Sequence, residues 1–330
     1  MDHYLYMQRA LDLAKLGWPN VAPNPMVGCV IVKDDKIVAE GYHQKYGEAH
    51  AEVNAIKNIG KDIQPGDCTL YVTLEPCSHF GKTPPCSDLI ISKGFKKVVV
   101  CNSDPNPLVG GQGIEKLRNA GIEVITGVLE KEGWELNKRF FTFHEKKRPY
   151  IILKWAQTAD GFISRYPVPE NRSENIISSP EQMMESHKMR SEEMAIMVGK
   201  NTVLCDNPTL TTRLVKGKNP IRIFIDRKLE VPRDFNIYNN ESKTIVFNEL
   251  KNGSEDHIEY IVLDFTKNIP VQICSHLHQK NIQSLIIEGG THLLNSFIEQ
   301  NLYDKVKVFE NKNLKFGNGI KAPVITFLQQ

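Results

Sequence analysis

Hydrophobic and polar positions in the first 127 residues follow two different periods. Apolar residues spaced three and four apart predict helices, and short β-branched runs predict strands. The predicted helices are 2–16, 49–59, 85–93 and 112–120, and the predicted strands are 27–32, 36–41, 69–73, 96–101 and 122–127. Strands that alternate with helices predict an α/β layer whose sheet is covered on both faces.

A second series of strands and helices follows the charged stretch 144–149, which ends in proline and is the best linker candidate in the chain. Its predicted strands are 150–156, 194–199, 221–226, 243–247, 259–263, 284–288 and 305–309, and its predicted helices are 180–191, 271–280 and 291–300. A length of 330 residues suits two domains. We place these two α/β domains at residues 1–146 and 149–330.

The composition is that of an ordinary globular protein, with 41% hydrophobic and 24% charged residues. No apolar run approaches the ~20 residues that a membrane helix needs, and the sequence MDHYLYMQRA lacks the apolar core of a secretory signal. Lys plus Arg total 41 against 39 for Asp plus Glu, which gives no electrostatic basis for nucleic-acid binding. We therefore expect a cytoplasmic protein without nucleic-acid or membrane partners.

The seven cysteines fall into different classes. A long chain without a signal peptide is expected to keep its thiols reduced, so a disulfide framework is not expected. Cys29, Cys68 and Cys101 lie inside apolar runs and are predicted to be small buried hydrophobic residues. Cys77 and Cys86 instead flank a loop of Pro, Gly and His without apolar periodicity.

His50 and Glu52 precede this cysteine pair at the start of a predicted helix. Zn²⁺ binds imidazole and thiolate ligands in a tetrahedron, and a catalytic site leaves the fourth position open. One His and two Cys would supply three ligands, and the nearby carboxylate would be free to move protons. The order H-x-E…P-C…C is the pattern of zinc nucleobase deaminases, in which the metal activates water for attack on an amino-bearing ring carbon.

Two alternatives to this interpretation remain open. One is a zinc-stabilised binding protein without catalysis, although a structural site normally has four ligands and no use for the Glu52 carboxylate. The other is a zinc deaminase of another base, nucleoside or tRNA joined to an unrelated C-terminal domain. Near-neutral charge and the long cysteine loop argue against tRNA.

Two segments of the second half suggest ligand binding. In 284–297 a strand, Gly289-Gly290 and a helix follow one another, and glycines let a backbone approach a phosphate at a helix N-terminus. This is not the G-x-G-x-x-G fingerprint, so a Rossmann unit is not expected. The segment 197–213 is a polar run after a strand, for which a solvated loop is the alternative.

The spacing of eight residues between Cys77 and Cys86, through SHFGKTPP, resembles the bifunctional riboflavin-biosynthesis deaminase–reductase family. Other segments that match the family are Asn24-Pro25-Met26-Val27-Gly28, Gly41-Tyr42-His43, Asp104-Pro105-Asn106-Pro107 and Gly110-Gly111-Gln112-Gly113. The resemblance covers essentially the whole chain. It implies a cytidine-deaminase-like α/β/α sandwich with a mixed sheet, followed by a dihydrofolate-reductase-like α/β domain.

The resemblance also implies the chemistry of the first domain. His50, Cys77 and Cys86 would hold one zinc ion per chain, and Glu52 would be the proton shuttle. The family substrate is a diaminopyrimidinone that carries a ribosylamino 5′-phosphate, so the expected partner is this small molecule, and we expect the chain to be a homo-oligomer. His43, His79 and Lys82 are either neighbours of that phosphate or solvated loop residues.

In the second domain the resemblance rests on Asp160-Gly161, Arg190, Gly199-Lys200-Asn201-Thr202, Asp206, Pro208, Leu210-Thr211 and Arg213. It implies NADPH as the cofactor, which would reduce the ribosyl group to ribityl. The implied cofactor contacts are Ala156, Ile176, Thr202, Asp206, Arg227, Gly290, Thr291, His292, Leu293, Leu294, Asn295 and Ser296. The implied substrate contacts are Arg190, Leu210, Arg213 and Glu288.

Two positions depart from the family pattern. Asn175-Ile176-Ile177-Ser178 lacks the Trp that the family commonly has before this stretch, which affects the packing of the cofactor. Arg227 stands where a family Ser contacts the cofactor. An arginine there is a candidate for binding the 2′-phosphate that distinguishes NADPH from NADH.

Overall fold

The computed structural model describes residues 2–79, 84–106, 110–169 and 171–325. Residues 80–83 of the cysteine loop, Lys82 among them, and Pro107 lie outside these ranges. The chain divides into two compact units, Met1–Lys147 and Arg148–Gln330. Each unit has its own sheet and its own hydrophobic core.

The first unit is built on a mixed sheet. Its strands are β1 (Gly28–Lys33), β2 (Lys36–Tyr42), β3 (Thr69–Leu74), β4 (Lys97–Asn102) and β5 (Glu123–Thr126), in the order β2-β1-β3-β4-β5. Its helices are α1 (His3–Lys15), α2 (Ala51–Lys57), α3 (Cys86–Ser92), α4 (Gln112–Asn119), α5 (Glu130–Leu136) and α6 (Lys138–Lys146). Strand β1 is antiparallel to β2 and β3, whereas β3, β4 and β5 run parallel.

Both faces of this sheet are covered, as the alternating pattern predicts. Successive side chains of a strand point to opposite faces. Leu70 and Val72 therefore join one apolar cluster, and Tyr71 joins a second that includes residues of α1. Cys29, Cys68 and Cys101 are buried in these two clusters, which confirms their prediction as small hydrophobic residues.

The boundary between the two units lies between Lys147 and Arg148, inside the charged stretch 144–149 that was expected to be a linker. Part of this stretch is helical, because Phe140, Phe141 and Phe143 give α6 a buried apolar side and the helix continues through Lys146. Arg148 is also buried, and it donates to both carboxylate oxygens of Asp304. Helices α5 and α6 were not predicted from the sequence.

The second unit holds an eight-stranded sheet in the order β11-β12-β10-β9-β8-β13-β6-β14. These strands are β6 (Tyr150–Thr158), β8 (Ala195–Gly199), β9 (Ile221–Ile225), β10 (Thr244–Asn248), β11 (Gly253–Glu255), β12 (Ile258–Val262), β13 (Ser284–Ile287) and β14 (Lys305–Asn311). Strands β7 (Phe162–Arg165) and β15 (Gly319–Lys321) form a separate antiparallel ribbon. The helices are α7 (Pro180–Glu192), α8 (Lys200–Asp206), α9 (Ile269–Gln279) and α10 (Thr291–Glu299).

Two neighbouring strands of this sheet place helix N-termini side by side. Strands β8 and β13 are parallel neighbours, and α8 and α10 follow them directly. Ligands of parallel α/β sheets bind where the carboxyl ends of the strands meet. A solvated loop was the alternative for the polar run 197–213. The run instead contains α8, whose residue Val203 is fully buried.

Within the residues described, the structure contains no helix that is both long and apolar enough to cross a membrane.

Candidate metal centre and ligand cleft

Three predicted metal ligands meet at one point of the first unit. His50 is the residue before α2, Cys77 follows the end of β3, and Cys86 begins α3. The Nδ1 atom of His50 lies 3.7 Å from the Sγ of Cys77 and 3.3 Å from the Sγ of Cys86. The ligand atoms of all three residues lie within 4.8 Å of one another.

These distances fit a tetrahedral zinc ion. With Zn–S near 2.3 Å and Zn–N near 2.05 Å, the nitrogen–sulfur edge of such a tetrahedron is about 3.6 Å. The two observed separations bracket this value. Hydrogen bonds from Cys86 and His50 lower the pKa of Cys77 below its ordinary value, which favours the thiolate form that binds metal. The donor set and its spacing therefore suit the metal.

Glu52 lies on the first turn of α2, beside Cys86, and its side chain is buried. Burial raises the pKa of this carboxyl above its ordinary value. A carboxyl group with a raised pKa takes up and releases protons more readily near neutral pH. The structure therefore places a buried carboxyl group next to the candidate metal ligands, and this group is not one of the three.

Several residues of the matched motifs surround this centre. His43 is buried, and its ring packs edge-on against His50 with 5.6 Å between centroids. The Nε2 of His43 lies 3.2 Å from the Asn24 side-chain amide. Asp104 follows β4, and burial raises the pKa of its carboxyl to about 6. His79 is exposed.

The second unit contains a cleft of about 1090 Å³ at the carboxyl ends of β8 and β13. A volume of this order suits a ligand larger than most drug-sized molecules. The predicted cofactor residues that line it are Ala156, Ile176, Thr202, Asp206, Arg227, Gly290, Thr291, His292, Leu293 and Ser296. The Gly290 N–H donates to the Thr202 hydroxyl, which ties the glycine turn to α8.

Two predicted cofactor residues do not line the cleft. Leu294 is fully buried in the apolar core, and its backbone N–H already donates to the Gly290 carbonyl. Asn295 follows on the same helix and is likewise not among the lining residues. Leu293 and Ser296 are three residues apart and share the face of α10 that lines the cleft, whereas Leu294 and Asn295 lie off that face.

The two positions that depart from the family pattern both face the cleft. Ile176 is 54% exposed, a high value for a large apolar side chain. The Nε of Arg227 lies 2.5 Å from a carboxylate oxygen of Glu249, and its guanidinium lies over the Phe265 ring at 5.1 Å. Lys228 pairs with the same carboxylate.

A buried charge cluster lies at one end of the cleft. Arg190 donates to both oxygens of Glu288, at 3.3 and 2.7 Å, and the Lys154 amine lies 4.0 Å from Glu288. Burial opposes ionisation of Glu288, but the charges of Arg190 and Lys154 prevail and lower its pKa to about 2. Glu288 and Lys154 line the cleft. Arg190 does not line it, but it is hydrogen-bonded to Glu288, which does.

The other two predicted substrate residues are not among the residues that line the cleft. The Leu210 side chain is buried in the apolar core. The Arg213 N–H donates to Nδ1 of His187, and its guanidinium donates to the Thr209 hydroxyl. Burial lowers the pKa of His187 to about 4, with Arg190 adding to the effect, so His187 is a neutral acceptor.

Lys154, His187 and Glu75 are residues that the sequence analysis did not single out. Lys154 had a visible signal, because it is a lone charge in the apolar strand YIILKWA. A charged residue in a buried strand needs a partner. Glu75 stands next to Pro76-Cys77 and is 4% exposed, but its partners are distant in sequence.

Family comparisons agree with this architecture. Residues 1–102 match the family model for the cytidine and deoxycytidylate deaminase zinc-binding region. Residues 149–311 match the model for the RibD C-terminal domain. The first match contains all three candidate metal ligands, and the second contains most of the lining residues of the cleft.

Near-full-length relatives carry both regions in one chain. "Riboflavin biosynthesis protein RibD" of Aquifex aeolicus is 45% identical over 92% of this chain and 85% of its own. The protein of the same name from Escherichia coli is 38% identical over 93% of this chain and 87% of its own.

Solved structures give the same result. A diaminohydroxyphosphoribosylaminopyrimidine deaminase/5-amino-6-(5-phosphoribosylamino)uracil reductase from Thermotoga maritima aligns with a TM-score of 0.84 and 41% identity, covering 97% of this chain and 89% of its own. Acinetobacter baumannii RibD aligns with a TM-score of 0.86 and 32% identity, covering 99% and 92%. Both architecture and sequence are therefore shared over nearly the whole length, and the chain belongs to the RibD family of riboflavin biosynthesis proteins.

Proposed function

We propose that the chain catalyses two successive steps of riboflavin biosynthesis. The first unit hydrolyses an amino group of 2,5-diamino-6-(5-phosphoribosylamino)pyrimidin-4(3H)-one. The second unit reduces the ribosyl group of the deaminated product to ribityl with NADPH. The observation that carries this proposal is the convergence of His50, Cys77 and Cys86 beside the buried carboxyl of Glu52.

In the first unit, His50, Cys77 and Cys86 would hold zinc, which activates water for hydrolysis at neutral pH. Glu52 would accept the two protons of that water in turn, and would pass one to a ring nitrogen and one to the departing amine. Water enters and ammonia leaves, so atoms and charge balance. The burial of Glu52 excludes bulk solvent from this proton transfer.

In the second unit, the cleft would hold NADPH, which supplies the hydride. The glycine turn lets the backbone approach a phosphate, and the first turn of α10 directs its N–H groups there. Glu288 and Arg190 are held by their mutual hydrogen bonds and would orient the sugar, with Lys154 beside them. Arg227 faces the cleft and would contact the 2′-phosphate.

The alternative of a deaminase with an unrelated C-terminal domain is not supported. Residues 149–311 match the RibD C-terminal domain, and the relatives cover both units.

One assay tests both steps. Ultraviolet spectra of the diaminopyrimidinone substrate with the enzyme should change once without NADPH, from deamination, and NADPH absorbance should fall only when the cofactor is added. A Glu52→Gln variant cannot carry a proton, so it should keep its zinc and lose deamination by at least ~10²-fold. It should still reduce pre-deaminated substrate. Loss of both activities with zinc retained would contradict the assignment of two separate sites.

A further inference from the structure

The carboxylate of Glu75 is buried at the end of β3, two residues before Cys77. It accepts four backbone N–H hydrogen bonds from a distant segment of the chain. Its Oε1 accepts from Gly113 at 2.8 Å and from Ile114 at 3.2 Å, and its Oε2 accepts from Asp104 at 3.1 Å and from Gly111 at 3.0 Å. Four such bonds satisfy most of the acceptor sites of an ionised carboxylate.

This arrangement replaces an ordinary helix cap. The residue before α4 is Gly111, which has no side chain to accept the free N–H groups of the first turn. Glu75 accepts them instead, 36 to 39 residues away in sequence. The positive end of the helix dipole favours a negative charge at this place.

Helix α4 also touches the backbone next to the metal ligand. A Cβ atom added to Gly113 would lie 2.0 Å from the Pro76 carbonyl oxygen, so the helix backbone packs directly against the peptide that joins Pro76 to Cys77. The Glu75 side chain and the Pro76 carbonyl thus contact the same turn of α4. Together they fix the point at which the chain leaves β3 towards Cys77.

A second set of bonds holds Cys77 from the side of α3. The Cys77 carbonyl accepts from the N–H of Ser87 at 3.1 Å and from its hydroxyl at 3.0 Å. The Cys77 sulfur accepts from the N–H of Cys86 at 3.3 Å. The position of the sulfur is therefore set by α3 on one side and, through Glu75, by α4 on the other.

We propose that Glu75 is a positioning residue of the metal centre, which sets metal affinity by holding the Cys77 peptide against α4. This inference rests on the proposed function, because it takes Cys77 as a zinc ligand. Groups that orient metal ligands from outside the coordination sphere commonly change metal affinity 10- to 100-fold when they are replaced.

The test compares zinc affinity in the full-length holoenzyme and in three variants, by competition with a chromophoric chelator. In Glu75→Gln one acceptor oxygen remains, but the amide NH₂ faces two N–H donors. We expect its zinc dissociation constant to rise about 10-fold, and that of Glu75→Ala to rise further. Lys116→Ala is the matched control, because Lys116 joins α4 to Asp88 of α3 through an exposed ion pair. It should leave the constant within about twofold.

Cobalt provides a second measurement, because its absorption spectrum reports the geometry of the thiolate ligands. We expect a shifted or weakened spectrum for Glu75→Gln and an unchanged one for Lys116→Ala. Unchanged affinity and spectrum in Glu75→Gln, even with a lower melting temperature, would overturn the inference, and so would an equal loss in the control. If Glu75→Ala does not fold, Glu75→Gln alone decides. A wild-type chain that binds no zinc would instead refute the proposed function.

Discussion

Arg227 offers a quantitative test of cofactor choice in the second unit. Arg227→Ala removes the cation that faces the cleft where we propose that the 2′-phosphate binds. A charge-assisted hydrogen bond is worth roughly 1.5–3 kcal/mol, whereas an exposed ion pair is worth about 0.2–1 kcal/mol. The Arg227 side chain is 56% exposed and already paired with Glu249, so the phosphate must compete with that carboxylate.

We therefore expect a loss of about 1 kcal/mol, which corresponds to a roughly fivefold higher Michaelis constant for NADPH. The Michaelis constant for NADH should stay within about twofold, because NADH lacks the phosphate. The difference should shrink at high ionic strength, since the contact is solvent-exposed. Steady-state kinetics with both cofactors at low and high salt measures all three quantities.

Two neighbouring substitutions sharpen the comparison. Glu249→Gln removes the competing carboxylate and should lower the Michaelis constant for NADPH. Lys228 also pairs with Glu249 but does not line the cleft. Lys228→Ala should therefore have little effect on the Michaelis constant for NADPH. Equal losses with NADPH and NADH in Arg227→Ala, or no loss with either, would refute the assignment of Arg227 to the 2′-phosphate.

The metal centre, the Glu288 cluster and the buried Arg148–Asp304 pair allow further tests. The wild type should contain about one zinc per chain, and Cys77→Ser should lose both zinc and deamination activity while it keeps reductase activity. Full metal content in the variant, measured by elemental analysis, would contradict the assignment of Cys77 as a ligand. Glu288→Gln should lower the free energy of unfolding by about 3 kcal/mol at pH 7, because the pKa of Glu288 is about 2 when folded against 4.5 ordinarily. That difference should shrink as the pH falls from about 4.5 towards 2, where the folded wild type takes up the proton, and urea unfolding of both proteins across this range measures it. Asp304→Ala leaves Arg148 buried without its counter-charge and should cost about 3–5 kcal/mol in urea unfolding, against at most about 1 kcal/mol for Lys15→Ala in an exposed pair.

The central strands of both sheets were predictable because their sequences are continuous apolar runs. The strands predicted from VGCVIV and SLIIE agree closely with β1 and β13. Strands that are buried on both faces of a sheet need apolar residues at successive positions, so they are recognisable in the sequence. Helix α8 was less clear because its buried side is a single residue, Val203. Short polar helices carry too few apolar positions for periodicity to reveal them.

The candidate metal ligands were predictable because motif spacing is local. His50 with Glu52, and Cys77 with Cys86, are short-range pairs, and the helix–strand order brings them together. The role of Glu75 was not predictable, because its four donors are backbone groups 29 to 39 residues away. Every residue except proline has a backbone N–H group, so the sequence does not indicate which of these groups donate to Glu75. Only the folded structure shows these contacts.

The presence of both units in one polypeptide also has a consequence for metabolic control. Every translated copy supplies both the candidate metal centre and the ligand cleft, so gene dosage and expression level scale the two capacities together. Expression therefore cannot change one step without the other, whereas the supply of zinc or of nicotinamide cofactor can. Zinc availability would change the activity of the unit that contains His50, whereas the redox balance of the nicotinamide pool would change the activity of the unit that contains Glu288.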